Sequence, residues 1–205
     1  MKHNLAKKIA HLKPCQDAAQ WLAKQPSAIK AWRNCQRGDW MFWLLVRTMD
    51  CPQWSLGRRA IVACALDCAR LNCPTTPSEI EGAVQTLRDW VEGVPTVEDI
   101  VDAVMHLIKS MERSLNNISH GKYSEYKAAI KTISQLEPYA YTGILFLAPL
   151  DNHAKKYAAA AAYKVCRPSQ SALSPIILSN TAEVIRSYFP RPPRIYKRTG
   201  RRVCP

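Results

Sequence analysis

Hydrophobic residues are densest between Arg37 and Leu71, where two helices account for their pattern. The first half is apolar on nearly every side from Trp40 to Val46, and Leu and Met outnumber β-branched residues, which favours a helix over a strand. In the second half the apolar residues share one helical face; they are Ile61, Cys64, Ala65, Cys68 and Leu71. A short connection usually joins antiparallel neighbours, so we expect this hairpin to form the centre of the core.

The start of the first helix carries a capping signal and two tryptophans. The Asp39 carboxylate can accept hydrogen bonds from the free amides of Met41 and Phe42, so Asp39 is the predicted N-cap. Trp40 and Trp43 are expected to mark the core, and Trp43→Ala is expected to cost about 3–5 kcal/mol of stability.

The rest of the chain alternates between helical patterns and turn residues. Ser27 predicts a capped helix, and Ser78 with Glu81 forms a capping box for a helix that Gly93 ends. The predicted helices outside the hairpin are 15–24, 27–34, 78–91, 96–111, 123–136, 151–165 and 175–189, with an apolar run at 142–150. The polar segment 114–122 is the best predicted internal hinge.

These patterns predict an all-α fold, a single bundle of roughly eight to ten helices over residues 1–189. Length, an apolar content of 47% and six tryptophans fit one domain with a sizeable core and argue against disorder. Seven glycines are few for an all-β chain with many tight turns. Residues 190–205 differ from the rest, because they carry six cations, four prolines and no acid, and are predicted to form an extended basic tail.

The net charge of +13 indicates an anionic partner, either nucleic acid or an acidic protein surface, unless the protein is merely basic. The tail cations are the predicted partner-binding residues: Arg191, Arg194, Lys197, Arg198, Arg201 and Arg202. Together with the amino-terminal lysines they could contact phosphates, and the alternative is a tail that only aids solubility.

Eight cysteines raise the question of metal binding or disulfides. The first 20 residues lack an apolar leader segment and no apolar run could span a membrane, so we expect a cytoplasmic protein with reduced thiols. Cys64, Cys68 and Cys73 are spaced like candidate ligands, but a zinc site needs a fourth. Packing as small apolar residues is the favoured interpretation, so no metal and no cofactor are expected.

No sequence pattern points to catalysis. The five histidines are scattered, and the chain has no HExxH, Walker loop, Gly-x-Gly-x-x-Gly or Gly-x-Ser-x-Gly motif. We therefore expect a protein that is not an enzyme and assign no catalytic residue.

Four charged residues lie within the most apolar part of the chain: Asp39, Arg59, Asp67 and Arg70. Charges in such surroundings need partners. They could form a polar pocket, but a helix cap together with ion pairs that fix the hairpin explains them without a function. We therefore predict that the four form a structural polar core.

The same region carries a recognisable motif. Residues 31–47 read AWRNCQRGDWMFWLLVR, and residues 58–71 read RRAIVACALDCARL. Further along, residues 157–165 read YAAAAAYKV and residues 184–193 read VIRSYFPRPP. The combination resembles a family of small all-helical immunity proteins that occur near bacterial toxin genes and in phage genomes.

The resemblance implies a non-enzymatic inhibitor that blocks a toxin or a bacterial defence complex by protein contact. A phage anti-defence role, such as inhibition of a CRISPR complex, fits the same physics, because the positive charge can match an acidic protein surface. The alternative is a nucleic-acid-binding protein that uses its basic terminal segments. Deletion of residues 191–205 is expected to slow association with a protein target, whereas it should remove most binding to nucleic acid.

Overall fold

The computed structural model describes residues 5–48, 55–73, 78–94, 97–120 and 175–194, together with Tyr141, Thr142, Ala161 and Val165. In this part of the chain the regular secondary structure is helical and no strand occurs. The predicted all-α fold is therefore confirmed.

Eight α-helices are described. They are α1 (Leu5–Ile9), α2 (Gln16–Ala23), α3 (Ala28–Asn34), α4 (Gly38–Thr48), α5 (Leu56–Asn72), α6 (Glu81–Glu92), α7 (Val97–His120) and α8 (Pro175–Tyr188). A 3-10 turn at Ala10–Leu12 extends α1, and another at Ser78–Ile80 precedes α6.

Several helix ends follow from local side-chain chemistry. The Ser27 hydroxyl accepts a hydrogen bond from the Lys30 amide at 3.2 Å, which confirms the predicted cap of α3. Gly93 ends α6 in the left-handed region, with a φ of 97°, as predicted. The capping-box prediction was only partly right, because Ser78 opens a 3-10 turn and α6 itself begins at Glu81.

The predicted role of Asp39 as an N-cap is wrong. Helix α4 begins at Gly38, and the amides of Trp40 and Met41 both donate to the Arg37 carbonyl at 3.1 Å. Asp39 is thus the second residue of the helix, and its carboxylate accepts from the Arg37 guanidinium instead. An arginine two residues earlier offers two charged donors, which a backbone amide cannot match.

The predicted hairpin is also corrected, because α4 and α5 both pack mainly against α8. At the α4 contact, a Cβ added to Gly38 would lie 2.6 Å from the Cβ of Thr181 and 2.9 Å from the amide nitrogen of Ala182. Only glycine permits so close an approach between the two helices. The short connection after α4 carries no information about a helix that arrives from far along the chain.

The core is formed by the buried faces of the packed helices. Its largest fully buried side chains are Phe42, Leu45, Ile80, Leu87, Trp90, Ile100, Leu107 and Ile185. Trp40 and Trp43, which were expected to mark the core, are half-buried and pack against its edge. The sequence identified the correct helix but the wrong face, because α4 is apolar nearly all round.

Helix α7 is longer than predicted. It continues to His120, so residues 114–120 of the predicted hinge are helical. The predicted helices 123–136 and 151–165 and the apolar run 142–150 lie outside the described residues, apart from Thr142, Ala161 and Val165. Among the described helices, none combines the length and apolar character needed to cross a membrane.

Candidate partner-binding site

A cavity of about 750 Å³ opens between the amino-terminal helices, α4 and the segment that follows α8. Four of the six tryptophans of the chain line it, and we call it the tryptophan pocket: Trp21, Trp32, Trp40 and Trp43. Smaller apolar residues of α1, α2 and α3 complete the walls. Cavities of this size and character are typical of binding sites.

Two of the tryptophans contact each other. The ring centroids of Trp21 and Trp40 lie 6.1 Å apart at an interplanar angle of 56°, a favourable tilted arrangement. The guanidinium carbon of Arg37 lies 4.2 Å from the centroid of Trp40, a cation–π contact. One wall of the pocket is therefore formed by rings that contact each other and a fixed cation.

A buried carboxylate fixes that cation. Arg37 donates to the two carboxylate oxygens of Asp39 through Nε at 2.9 Å and through its terminal nitrogen at 2.7 Å. The Asp39 side chain is fully buried, whereas 30% of the Arg37 side chain is exposed. A buried carboxylate requires such a partner, and the paired arginine in turn is held over Trp40.

Helix α8 and Phe189, which follows it, hold Trp32 and the end of α3 in place. The Trp32 indole donates through Nε1 to the Phe189 carbonyl at 2.8 Å. Arg186 donates to the carbonyls of Trp32 at 3.2 Å and Cys35 at 2.8 Å, which lie at the carboxyl end of α3. A cation at this end of a helix satisfies carbonyls that have no partner within the helix.

The rim of the pocket is positively charged. Lys8 and Lys13 from the amino-terminal segment and Arg194 from the segment after α8 are among the lining residues, which include no Asp or Glu. Cations from the two basic segments, which the sequence places at opposite ends of the chain, thus line one pocket. This arrangement favours an anionic ligand.

The predicted tail residues fall on both sides of the limit of the described chain. Arg191 is exposed, and Arg194 is exposed and lines the tryptophan pocket. Lys197, Arg198, Arg201 and Arg202 lie outside the described residues. Pro192, Pro193 and Arg194 of the predicted tail are therefore part of the candidate site.

The structure does not bring the four predicted core charges together. Asp39 is buried against Arg37, but Asp67 and Arg70 are exposed. Arg59 is half-buried, with its guanidinium carbon 5.7 Å from the centroid of Trp90. The alternation of α5 explains the difference, because its charged residues 67 and 70 face away from the apolar stripe.

The motif of the central stretch contacts its own closing segment. Arg186 bonds the Cys35 carbonyl, and the Tyr188 hydroxyl donates to the Asp67 carboxylate at 2.7 Å. Residues of the motif thus hold α3, α5 and α8 together, which gives them a structural role. The resemblance to immunity proteins stays a prediction.

Four cysteines of the described residues are buried and pack within the core: Cys35, Cys64, Cys68 and Cys73. Cys64 and Cys68 are fully buried, and burial, together with the hydrogen bond to Cys68, raises the pKa of the Cys64 thiol well above its ordinary value. Burial also raises the pKa of Cys35, whose thiol donates to the Arg37 carbonyl at 3.6 Å. In the described ranges, His, Cys, Asp and Glu side chains nowhere gather in threes around a point that could hold a metal ion.

Sequence patterns did not reveal the tryptophan pocket. Its rings come from three helices, and the spacing of residues within one helix says nothing about how three helices face each other. One signal was present, since four of six tryptophans fall between residues 21 and 43. No family model, curated protein or solved structure matches this chain.

Proposed function

We propose that this protein is a non-enzymatic binding inhibitor that blocks a toxin or a bacterial defence complex by covering an acidic protein surface. The observation that carries the proposal is the tryptophan pocket with its cationic rim. Tryptophan and arginine dominate the energetics of protein interfaces, especially where they line pockets that exclude water.

The rings of the pocket are held by contacts within the chain, which supports a binding role. Trp32 is fixed by its hydrogen bond to the Phe189 carbonyl, and Trp40 contacts both Arg37 and Trp21. A partner that enters such a site loses less free energy to ordering of side chains than one that meets mobile rings.

Two polar groups close to the tryptophans, the Asp39 carboxylate and the Cys35 thiol, already serve the fold. The Asp39 carboxylate is bonded to Arg37, and the Cys35 thiol is protonated and bonded to the Arg37 carbonyl. Neither group is presented as a base or a nucleophile. These contacts support recognition by shape and charge rather than chemistry on a bound molecule.

A pair of substitutions on α2 tests the proposal. Ala18→Phe places a ring into the pocket, whereas Ala23→Phe adds the same ring to an exposed position of the same helix that does not line it. When a host-cell lysate is passed over immobilised protein, the wild type and the Ala23→Phe control should retain the same host protein. The Ala18→Phe variant should not retain it. Unchanged melting temperatures and helical content would show that both variants fold.

Retention alone does not establish inhibition, so the retained protein must then be purified and its own activity assayed. Addition of the chain should stop that activity at equimolar amounts, with no covalent change in either protein by mass spectrometry. A retained protein whose activity is unaffected at saturation, or one that is chemically altered, would contradict the proposal.

Nucleic acid is the second candidate partner, since cations beside aromatic rings also characterise sites for single strands. Lys8, Lys13 and Arg194 line the same pocket as the half-buried Trp21 and Trp40 and provide this combination. Binding to random single-stranded DNA should then weaken steeply with salt, with a logarithmic slope that falls as cations are removed. Weak binding that Ala18→Phe leaves unchanged would instead reflect charge alone.

A further inference from the structure

We infer that the tryptophan pocket receives an amphipathic α-helix of the protein partner, with apolar anchors in the pocket and acidic residues along its margins. This inference rests on the proposed function, because it specifies which element of the partner the pocket holds.

The size of the pocket requires more than one anchor. A buried cavity of about 150 Å³ is enough for a benzene ring, whereas this pocket measures about 750 Å³. Several side chains in a row are needed to fill it. A helix supplies them on one face, at intervals of three and four residues.

The walls favour a bound segment whose backbone hydrogen bonds are all made within the segment itself. They are mostly apolar, and two of their polar groups are already used, since the Trp32 indole donates to Phe189 and the Cys35 thiol donates to Arg37. An extended segment would lose hydrogen bonds to water without replacement. It would also find no strand edge to pair with in the described part of the chain. A helix meets neither difficulty.

The positive charge of the rim favours a bound segment that carries negative charge. Lys8 and Lys13 line the pocket, and its lining residues include no Asp or Glu, so acidic residues beside the anchors would be attracted. The basic residues 195–205 of the same chain and a second copy with a net charge of +13 would both be repelled. An acidic helix of a different protein fits this rim best.

Short synthetic peptides provide the test. A panel of acidic amphipathic helices, with leucine or phenylalanine anchors, is titrated into the full-length protein. Calorimetry and tryptophan emission report binding, since four tryptophans line the pocket. At least one peptide should bind saturably and equimolarly, while its scrambled version should not. Ala18→Phe should abolish binding, and Ala23→Phe should leave it unchanged.

A second matched pair tests the charge. Lys8→Glu with Lys13→Asn should weaken peptide binding about tenfold, since exposed charge contacts are individually modest. Lys24→Glu with Lys30→Asn makes the same change in net charge at exposed positions outside the pocket and should have little effect. Asparagine is used at Lys13 because that residue has a φ of 57°, which asparagine tolerates.

Three results would overturn the inference: no peptide of the panel binds, scrambled peptides bind equally well, or Ala18→Phe leaves binding intact. Dodecanoate that binds while every peptide fails would assign the pocket to a small anionic amphiphile instead. Failure here is separable from failure of the proposed function. If no peptide binds but the chain still inhibits its native partner, the helical occupant alone is wrong. If peptides bind but the partner is not inhibited, inhibition alone is wrong.

Discussion

Gly38 illustrates how one residue sets the distance between two helices. An added Cβ would lie 2.6 Å from both Cβ and Cγ2 of Thr181 and 2.9 Å from the Ala182 backbone nitrogen. None of these atoms can move away without a shift of the helix. Gly38→Ala should therefore destabilise the protein by about 1–3 kcal/mol, because α8 must move away from α4. Urea unfolding would measure this loss.

Gly82 provides the matched control for that substitution. It also lies in the first turn of a helix, but an added Cβ would meet nothing within 4 Å. Gly82→Ala should leave stability unchanged or raise it by up to about 1 kcal/mol, through the loss of freedom in the unfolded chain. Equal effects at the two glycines would show that α4 and α8 are not in close contact.

Tyr188 makes the stability of the protein sensitive to alkaline pH. Burial, with the hydrogen bond to Asp67, raises the pKa of Tyr188 above its ordinary value, which is about 10. The folded protein therefore retains a proton that the unfolded chain releases. The stabilisation is complete below about pH 10 and is lost as the pH rises above it.

The comparison of wild-type protein with Tyr188→Phe isolates this effect, because phenylalanine has no proton to lose. The free energies of unfolding should differ by a constant amount from neutral pH up to about pH 9, and the difference should shrink above about pH 10. A difference that stays constant throughout would mean that the Tyr188 hydroxyl is not in its described environment.

At the scale of elements, α4 has two apolar faces with different roles. Phe42 is fully buried in the core, whereas Trp43 is half-buried and lines the tryptophan pocket. Phe42→Ala should cost about 3–5 kcal/mol, because it leaves a cavity that the core cannot close. Trp43→Ala should cost less, despite its larger side chain, and thermal unfolding of both variants would rank them. A larger loss of stability for Trp43→Ala than for Phe42→Ala would instead support the prediction from the sequence that Trp43 lies in the core.

Sequence patterns predicted the helices better than their arrangement. The limits of α2, α3 and α8 and the Gly93 end of α6 follow from local signals such as the Ser27 cap. The position of α8 against α4 and α5 could not be predicted, because it depends on contacts between distant residues. The pairing of Arg37 with Asp39 was missed for a different reason, because the sequence pattern assigned the Asp39 carboxylate to the helix cap.

At the scale of the whole molecule, positive charge occurs both at the pocket and in the tail. Lys8, Lys13 and Arg194 line the pocket, whereas the remaining tail cations follow in residues 195–205. Charge in the tail can speed association with a partner without determining which partner binds. The shape of a pocket can determine that specificity. The sequence predicts that the basic tail begins at residue 190, and Pro192, Pro193 and Arg194 of that segment line the pocket.

Binding kinetics of the purified partner test the central claim, that the tryptophan pocket is the recognition site. Association and dissociation rates would be measured at low and high salt for the wild-type chain, a chain without residues 195–205, Ala18→Phe and Ala23→Phe. We predict slower, less salt-dependent association with an unchanged dissociation rate for the truncated chain, loss of binding for Ala18→Phe, and wild-type behaviour for Ala23→Phe. Loss of binding on truncation, with Ala18→Phe unaffected, would contradict the account.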